Sequence, residues 1–245
     1  MSRFRLALIN PNTNEQQTTE MAAAASAVLP DGAEVNALTA PRGPSSIETA
    51  AEEVTAAAEV LELVRGHRDV DAYLIACFSD PAVEAARELT EAPVVGIGEA
   101  AYRAVLMLAR RFAVITTLPR GVPEIENGMV SLGVRDECVG VLSLGIPVAE
   151  QGAEFGDTND AIVAAGQHAV QNLGAEALVL ACGGMAQAEA IVRERVGVPA
   201  TNGVAFGALL AHALWRASLR TSQVGSLAPP APVGAPPVAP LGTPG

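Results

Sequence analysis

A cysteine that ends a short apolar segment occurs twice in this chain, at Cys77 and Cys182, with similar sequence before each. Residues 73–76 are Tyr-Leu-Ile-Ala, and residues 178–181 are Leu-Val-Leu-Ala. Both segments are apolar throughout, which is typical of strands covered on both faces in a parallel sheet. After each cysteine the sequence predicts a tight turn and a helix, with Asp80 capping the helix of the first copy. Both thiols are therefore expected at the carboxyl edge of a parallel sheet, where open α/β sheets place their ligands.

The similarity between the two halves extends beyond the cysteines. A proline introduces a second apolar segment after each cysteine, at residues 93–98 and 199–204, and residues 6–10 and 112–116 form matching apolar segments upstream. Repeats at a fixed offset usually mark duplicated structural units. The predicted fold class is therefore α/β, with two pseudo-symmetric lobes, each a small doubly wound, mostly parallel sheet flanked by helices. Such lobes would place the two thiols on opposite walls of one inter-lobe cleft, which is the expected active site.

The predicted lobe boundaries follow from this repeat and from the last predicted helix, residues 206–219, which is apolar enough to pack back on the first half. The first lobe is expected to comprise residues 1–97 plus 204–224, and the second lobe residues 98–203. Residues 225–245 consist mainly of Pro, Ala, Gly and Val without charge or periodicity. We predict that they form a disordered tail without a catalytic role.

Charge and composition exclude several classes of partner. The chain has 15 basic and 27 acidic residues, and only 3% of its residues are aromatic, so neither phosphate neutralisation nor base stacking supports nucleic-acid binding. The apolar segment between residues 92 and 108 is interrupted by Glu99 and Arg103, and the amino-terminal apolar run is too short for a signal peptide. We therefore expect no membrane partner and a cytoplasmic location, where the three cysteines would stay free thiols.

All 15 basic residues are arginines, so the chain contains no lysine. Pyridoxal-phosphate enzymes need a lysine for the Schiff base and Walker A loops need one for the phosphates, so both classes are excluded. The three histidines lack ligand spacing to a cysteine or carboxylate, and no complete dinucleotide-binding fingerprint is present. We therefore expect a protein that uses neither a cofactor nor a metal.

Two facing thiols suit the inversion of a carbon acid beside a carbonyl. One thiolate removes a proton from one face, a thiol returns a proton to the other, and a cysteine pKa of about 8.5 lets both forms coexist near neutrality. Each cysteine precedes a predicted helix amino terminus, so we expect a lowered pKa for both thiols. Cys77 and Cys182 are the predicted catalytic pair, although a single cysteine at a strand end more often only packs. Cys138, at the start of a strand, is predicted to be such a buried residue.

Polar groups beside the two cysteines are candidates for substrate binding. The backbone N–H groups of Gly183 and Gly184 could hold a developing enolate oxygen. The hydroxyl groups of Ser79, Thr116 and Thr117 could supply hydrogen bonds. Their places after predicted strands make a shared site at the sheet edge the expected arrangement.

The loop after the first strand, Asn10-Pro11-Asn12-Thr13-Asn14, has amide side chains that both donate and accept hydrogen bonds. A neutral polar ligand would suit this loop. The alternative is that its asparagines and Thr13 only cap the helix that starts near Glu15. The sequence favours neither role over the other.

Five ordered segments make the chain similar to the aspartate/glutamate/hydantoin racemase superfamily, and within it to the hydantoin and allantoin racemase branch. These segments are residues 9–13, 76–81, 93–101, 111–118 and 182–185. The resemblance implies two pseudo-symmetric α/β lobes, no cofactor, a homo-oligomer, and a two-base mechanism with its roles on Cys77 and Cys182. Phe78-Ser79 and the Asn-Pro-Asn loop stand where amino-acid racemases of the superfamily carry other polar or acidic residues. The resemblance therefore implies a neutral cyclic ureide as the small-molecule substrate.

The predicted function is inversion at C5 of a 5-monosubstituted hydantoin, allantoin included, by a cofactor-independent racemase. Within the superfamily, the alternatives are an amino-acid racemase and a maleate-type cis-trans isomerase. From another class, the alternative is a two-lobed small-molecule-binding protein with structural cysteines. Besides the cysteine pair, the predicted substrate-binding residues are Asn10, Pro11, Asn12, Phe78, Ser79, Thr116, Thr117, Gly183 and Gly184.

Overall fold

Strands and helices alternate along the part of the chain that the structure, a computed structural model, describes: residues 3–146, 155–185 and 188–231. The elements of the first half are β1 (Arg5–Asn10), α1 (Glu15–Ser26), β2 (Glu34–Thr39), α2 (Ala50–Gly66), β3 (Ala72–Ile75), α3 (Val83–Arg87), β4 (Val94–Gly96) and α4 (Ile97–Leu106). Those of the second half are β5 (Phe112–Thr116), α5 (Val122–Ser131), β6 (Cys138–Ser143), α6 (Phe155–His168), β7 (Ala177–Leu180), α7 (Ala188–Val196), β8 (Ala200–Thr201) and α8 (Val204–Arg216).

The eight described strands form two parallel sheets with the same order of strands. The first sheet runs β2-β1-β3-β4, and the second runs β6-β5-β7-β8. The register is also repeated, since Ile9 pairs with Ile75 in the first sheet and Ile115 pairs with Leu180 in the second. The predicted fold class, two similar α/β lobes with parallel sheets, is therefore confirmed.

The central strands are apolar throughout because helices cover both faces of each sheet. Every residue of β3 and of β7 is buried. In the first sheet, one face packs against α1, α4 and α8, and the other packs against α2 and α3. In the second sheet, α4 and α5 cover one face, and α6 and α7 cover the other. Burial on both faces removes the polar alternation that a half-exposed strand would show.

Helix α4 packs against both sheets. Ile97 and Ala100 lie in the core of the first sheet, whereas Tyr102 and Val105 lie in a core of the second. Helix α8 returns to the first half, as the sequence predicted, and buries Val204, Ala208 and Ala211 in the core beside β1 and β3. The exact lobe boundaries at residues 97 and 203 stay a prediction.

The carboxyl-terminal segment follows α8 along the first half. The backbone N–H of Thr221 donates to the Glu91 carbonyl at 2.9 Å, and residues Gly225–Leu227 form a short 3₁₀ turn. Residues 232–245 of the predicted tail lie outside the described residues. Among the helices that are described, none has both the length and the apolar character needed to cross a membrane.

The predicted cap on the helix after Cys77 is wrong. Helix α3 begins at Val83 and its preceding residue, Ala82, makes no capping side-chain hydrogen bond. Asp80 has a φ of 54°, in the left-handed region that aspartate tolerates better than most residues. Its carboxylate accepts instead from the backbone N–H groups of Gly98 and Glu99, at 2.9 and 2.7 Å. Asp80 therefore caps α4.

Candidate active site

The two cysteines start equivalent turns at the carboxyl ends of the central strands. The Cys77 carbonyl accepts from the Asp80 N–H at 3.0 Å, and the Cys182 carbonyl accepts from the Met185 N–H at 3.0 Å. The Cys77 turn begins just after β3, which lies beside β1, and the Cys182 turn begins just after β7, which lies beside β5. Duplication of the fold thus places the two thiols at matching positions.

Both thiols line one cavity of about 670 Å³, with walls from both halves of the chain. Each cysteine is partly exposed. The turns meet at Gly183, where a Cβ would lie 3.5 Å from the Ala76 carbonyl oxygen and 2.5 Å from the Met21 sulfur. Residues adjacent to the two cysteines are therefore in close contact across the lobe interface.

The structure brings most of the predicted binding residues to this cavity. Its lining includes Asn12, Phe78, Ser79, Thr116, Thr117 and Gly183. Three other predicted residues, Asn10, Pro11 and Gly184, do not belong to the lining. The binding role of the whole set stays a prediction.

Asn10 is buried behind the cavity wall, with only 1% of its surface exposed. Its side-chain amide donates to Asn12 Oδ1 at 2.8 Å and to Thr18 Oγ1 at 3.0 Å. The cap of α1 comes from Asn14, whose Oδ1 accepts from the Gln17 N–H at 3.1 Å. Asn10 thus fixes the loop, while Asn12 is the asparagine of the motif that lines the cavity.

The predicted lowering of both thiol pKa values is wrong. Burial raises the pKa of Cys77 from 9.0 to about 12, although the Ser79 hydroxyl, 3.5 Å from the sulfur, acts in the opposite direction. Burial also raises the pKa of Cys182 to about 11, against the backbone N–H groups of Gly184 and Met185. The turn amides do favour the thiolates, but loss of water around the sulfur atoms outweighs them. Burial therefore favours the neutral thiol form of both cysteines.

The cavity also contains charged and polar side chains that the sequence analysis missed. These are Gln17, Glu48, Asp80, Glu84, Arg87, Glu88, Glu99, Arg120, Glu124 and Ser131. They come from helices and loops of both halves, and nothing in their sequence context distinguishes them from ordinary surface residues. Glu48 lies close enough to raise the pKa of Cys182 through its negative charge.

A pair of carboxyl groups joins α2 and α5 beside the cavity. The neighbouring Glu53 carboxyl and partial burial raise the pKa of Glu124 from 4.5 to about 8. Among the described residues, Glu124 Oε1 is a buried oxygen without a hydrogen-bond partner. The pair therefore favours a protonated Glu124 at neutral pH.

The third cysteine belongs to the core of the second half. Cys138 is 6% exposed, and its thiol donates to the Gly140 carbonyl at 3.4 Å. Its predicted burial is confirmed. Within the described ranges, no three His, Cys, Asp or Glu side chains are grouped as metal ligands. The expectation that the protein uses no cofactor stays a prediction.

Known proteins resemble this chain over nearly its whole length. The sequence profile described as Asp/Glu/Hydantoin racemase matches residues 6–211. A hydantoin racemase from Rhizobium meliloti is 36% identical over 225 residues, which cover 91% of this chain and 93% of the relative. Two allantoin racemase structures are also similar. The one from Klebsiella pneumoniae has a TM-score of 0.90 at 35% identity and covers 93% of this chain and 94% of its own. The one from Pseudomonas fluorescens has a TM-score of 0.91 at 34% identity and covers 94% and 98%.

These matches include both sheets, both cysteine turns and the helices around the cavity. The first half and the second half are matched together, in one continuous range of the family profile. This chain belongs to the Asp/Glu/Hydantoin racemase family.

Proposed function

We propose that this protein is a racemase that inverts C5 of a 5-monosubstituted hydantoin or of allantoin, with Cys77 and Cys182 as its two bases. The observation that carries the proposal is the presence of both thiols, from equivalent strand ends of two lobes, in the lining of one cavity. The names of the similar racemases support this substrate class.

The reaction needs only a proton transfer on each face of C5. The thiolate of one cysteine takes the C5 proton, and the electron pair of the broken C–H bond moves into the adjacent carbonyl to form an enolate. The thiol of the other cysteine then donates its proton to the opposite face and is left as a thiolate. The product has the inverted configuration, and the pair is reset when a proton returns through solvent.

Hydrogen-bond donors around the sulfur atoms suit the enolate. Gly183 lines the cavity next to Cys182, and the hydroxyl-bearing residues Ser79, Thr116 and Thr117 line it from both lobes. Donors already fixed at the place where negative charge develops stabilise the transition state more than the ground state. A carbon acid is weaker than a thiol, so this stabilisation lowers the pKa of C5 towards that of the sulfur, while the raised thiol pKa values narrow the same gap from the other side.

The cavity lining carries charges of both signs, from residues that include Glu48, Arg87, Glu99 and Arg120. Arg87 is paired with Glu99 at 2.9 Å. A ureide ring offers both N–H donors and carbonyl acceptors, and groups that complement each kind are present in this lining.

We keep three further expectations as part of the proposal. A cytoplasmic location suits the chemistry because both catalytic sulfurs must stay reduced, and the three cysteines are free in the structure. The protein is expected to form a homo-oligomer and to bind no nucleic acid, in line with its acidic charge.

The direct test follows single enantiomers of allantoin and of 5-benzylhydantoin in D₂O. We expect optical rotation to decay while deuterium enters C5, and we expect Cys77→Ser and Cys182→Ser each to reduce kcat by at least about 100-fold. Cys138→Ala is the matched control and should retain turnover. Absence of exchange with every hydantoin and with allantoin would refute the proposal.

The same panel separates the alternatives. Turnover of aspartate, glutamate or maleate in place of the ureides would identify another reaction of the family. Ligand binding that is unchanged in both cysteine variants, without turnover of any substrate, would identify a binding protein with structural cysteines.

A further inference from the structure

Each cysteine turn is attached by one side chain to the helix that follows the next strand. In the first half, the Asp80 carboxylate accepts from two N–H groups at the start of α4. In the second half, the Asn202 side chain donates to the Gly183 carbonyl at 3.1 Å and accepts from the Val204 N–H at 3.1 Å, at the start of α8. The two contacts join equivalent elements but use chemically different groups.

The helix starts need these side chains because the residue directly before each helix is a glycine. The residues before α4 and α8 are Gly96 and Gly203, and neither supplies a side-chain acceptor. The first N–H groups of a helix lack partners within the helix. Asp80 supplies the acceptors for α4 from within the Cys77 turn, and Asn202 supplies one for α8 while holding the Cys182 turn.

The surroundings leave little room for the turns to move. A Cβ at Gly98 would overlap the Phe78 carbonyl, and one at Gly96 would overlap the Asp80 carboxylate. Asn202 has no exposed surface. Phe78 packs edge-on against Tyr102 of α4, with ring centroids 5.4 Å apart. The turn positions are therefore tightly defined by packing as well as by hydrogen bonds.

We propose that Asp80 and Asn202 are positioning residues, each of which holds one of the two catalytic sulfurs: Asp80 holds Cys77, and Asn202 holds Cys182. The proposal depends on the proposed racemase function. It gives each of the two sulfurs, and so each face of C5, a positioning residue of its own. Disturbing one contact loosens one sulfur and leaves the other in place.

Isosteric substitutions place the wrong group at each contact, a donor at the Asp80 contact and an acceptor at the Asn202 contact. Asp80→Asn keeps the size and the left-handed backbone, which asparagine also tolerates, but turns an N–H₂ group towards a backbone N–H. Asn202→Asp keeps the cap on Val204 but turns an oxygen towards the Gly183 carbonyl. Asp71→Asn is the matched control, because Asp71 accepts from the Arg5 N–H at 2.8 Å outside the cavity.

The test measures primary deuterium isotope effects on kcat/KM with C5-deuterated single enantiomers of allantoin or 5-benzylhydantoin. A loosened sulfur makes its own proton transfer slower, so the isotope effect grows for the enantiomer whose C5 proton that sulfur removes. Cys77→Ser and Cys182→Ser identify which enantiomer belongs to which sulfur.

We expect Asp80→Asn to change the isotope effect most for the same enantiomer as Cys77→Ser does. Asn202→Asp should change it most for the same enantiomer as Cys182→Ser does. Each variant should lower kcat by about 10- to 100-fold with KM within about twofold. Asp71→Asn should show neither change. An equal effect on both enantiomers, or no effect, would overturn the proposal.

Separate controls test whether each variant folds and whether the position of a sulfur atom has changed. If either isosteric variant fails to fold by circular dichroism, Asp80→Gly or Asn202→Ser takes its place, since glycine tolerates the left-handed backbone at residue 80 and serine keeps a hydroxyl acceptor at residue 202. Iodoacetamide labelling with peptide mass analysis gives a second measurement that needs no turnover. We expect the ratio of Cys77 to Cys182 labelling to change at least about threefold, in opposite directions for the two contacts.

The two proposals can fail independently. A wild-type protein without turnover, but with the expected labelling ratios, would refute the racemase and keep the positioning contacts. Normal wild-type turnover with an unchanged labelling ratio and unbiased isotope effects would refute the contacts alone.

Discussion

Gly183 packs against Met21 so closely that a Cβ on Gly183 would lie 2.5 Å from the Met21 sulfur. Met21 belongs to α1 of the first half and is 1% exposed, whereas Gly183 follows Cys182 in the second half. The two halves therefore meet directly beside a candidate catalytic sulfur. Space rather than backbone conformation favours glycine there, since its φ is not in the left-handed region.

This contact predicts a selective effect of Gly183→Ala. The added methyl group must displace either Met21 or the Cys182 turn, so we expect a loss of about 1–3 kcal/mol in the free energy of unfolding and at least about a tenfold fall in kcat. Urea denaturation and initial racemisation rates measure the two effects.

A double-mutant cycle tests the cause. In a Met21→Ala background the same Gly183→Ala change should cost clearly less, because the clash is removed. Gly66→Ala, at a helix end where a Cβ meets nothing within 4 Å, is the control. Equal costs of Gly183→Ala in both backgrounds would show that Met21 is not the obstacle.

The raised thiol pKa values predict a steep pH dependence of the rate. With pKa values of about 12 for Cys77 and about 11 for Cys182, the thiolate fraction increases by about tenfold per pH unit throughout the neutral range. We therefore expect kcat/KM to rise from about pH 6.5 to about 8.5 without a plateau, for both enantiomers. Initial rates corrected for spontaneous racemisation provide the measurement, and a plateau that begins near pH 7 would contradict it.

The sequence predicted the sheets and the cysteine pair because both depend on local patterns. Apolar runs without alternation mark β3 and β7 as central strands, and the repeat places Cys77 and Cys182 at equivalent ends. Parallel sheets restrict such strand ends to one edge. The shared cavity is a direct consequence of that restriction.

Features that depend on contacts between distant segments were not predictable in the same way. The sequence predicted that Asp80 caps the nearest helix, α3. In the structure Asp80 has a positive φ, and its carboxylate accepts from the start of α4 instead. Asn10 and Asn12 belong to one motif, but only Asn12 lines the cavity. The sign of the thiol pKa shift depends on burial of the sulfur atoms in the folded chain, which no local motif encodes.

Asp80 predicts a pH-dependent difference in stability between wild type and Asp80→Asn. Burial raises the pKa of Asp80 from 3.8 to about 7, against the two backbone N–H groups that it accepts from. Among the charged groups near it, Glu99 raises the pKa and Arg87 lowers it. Asp80 also lies near the titratable groups of Cys77 and Tyr102.

The sign follows from proton binding. The folded protein holds the Asp80 proton more tightly than the unfolded chain, so the contribution of this proton to stability is full below about pH 4 and is lost as pH rises through about 7. The amide in the Asp80→Asn variant does not titrate. We expect the free energy of unfolding of wild type, relative to Asp80→Asn, to fall by a few kcal/mol between about pH 4 and pH 8. Urea denaturation of both proteins at these pH values measures it, and a constant difference would contradict the raised pKa.

The carboxyl pair between α2 and α5 predicts a second, separable pH effect. The pKa of Glu124 is raised to about 8 by Glu53 and by burial, so its stabilising proton is lost as pH rises from about 4.5 to 8. Glu124→Gln keeps a hydrogen-bond donor towards Glu53 and cannot ionise. We expect the variant to be more stable than wild type at pH 9 by about 2 kcal/mol, and to lose this advantage at pH 4. Glu84→Gln, on the exposed surface of α3, should change neither value. Parallel pH dependences for wild type and Glu124→Gln would contradict the raised pKa of Glu124.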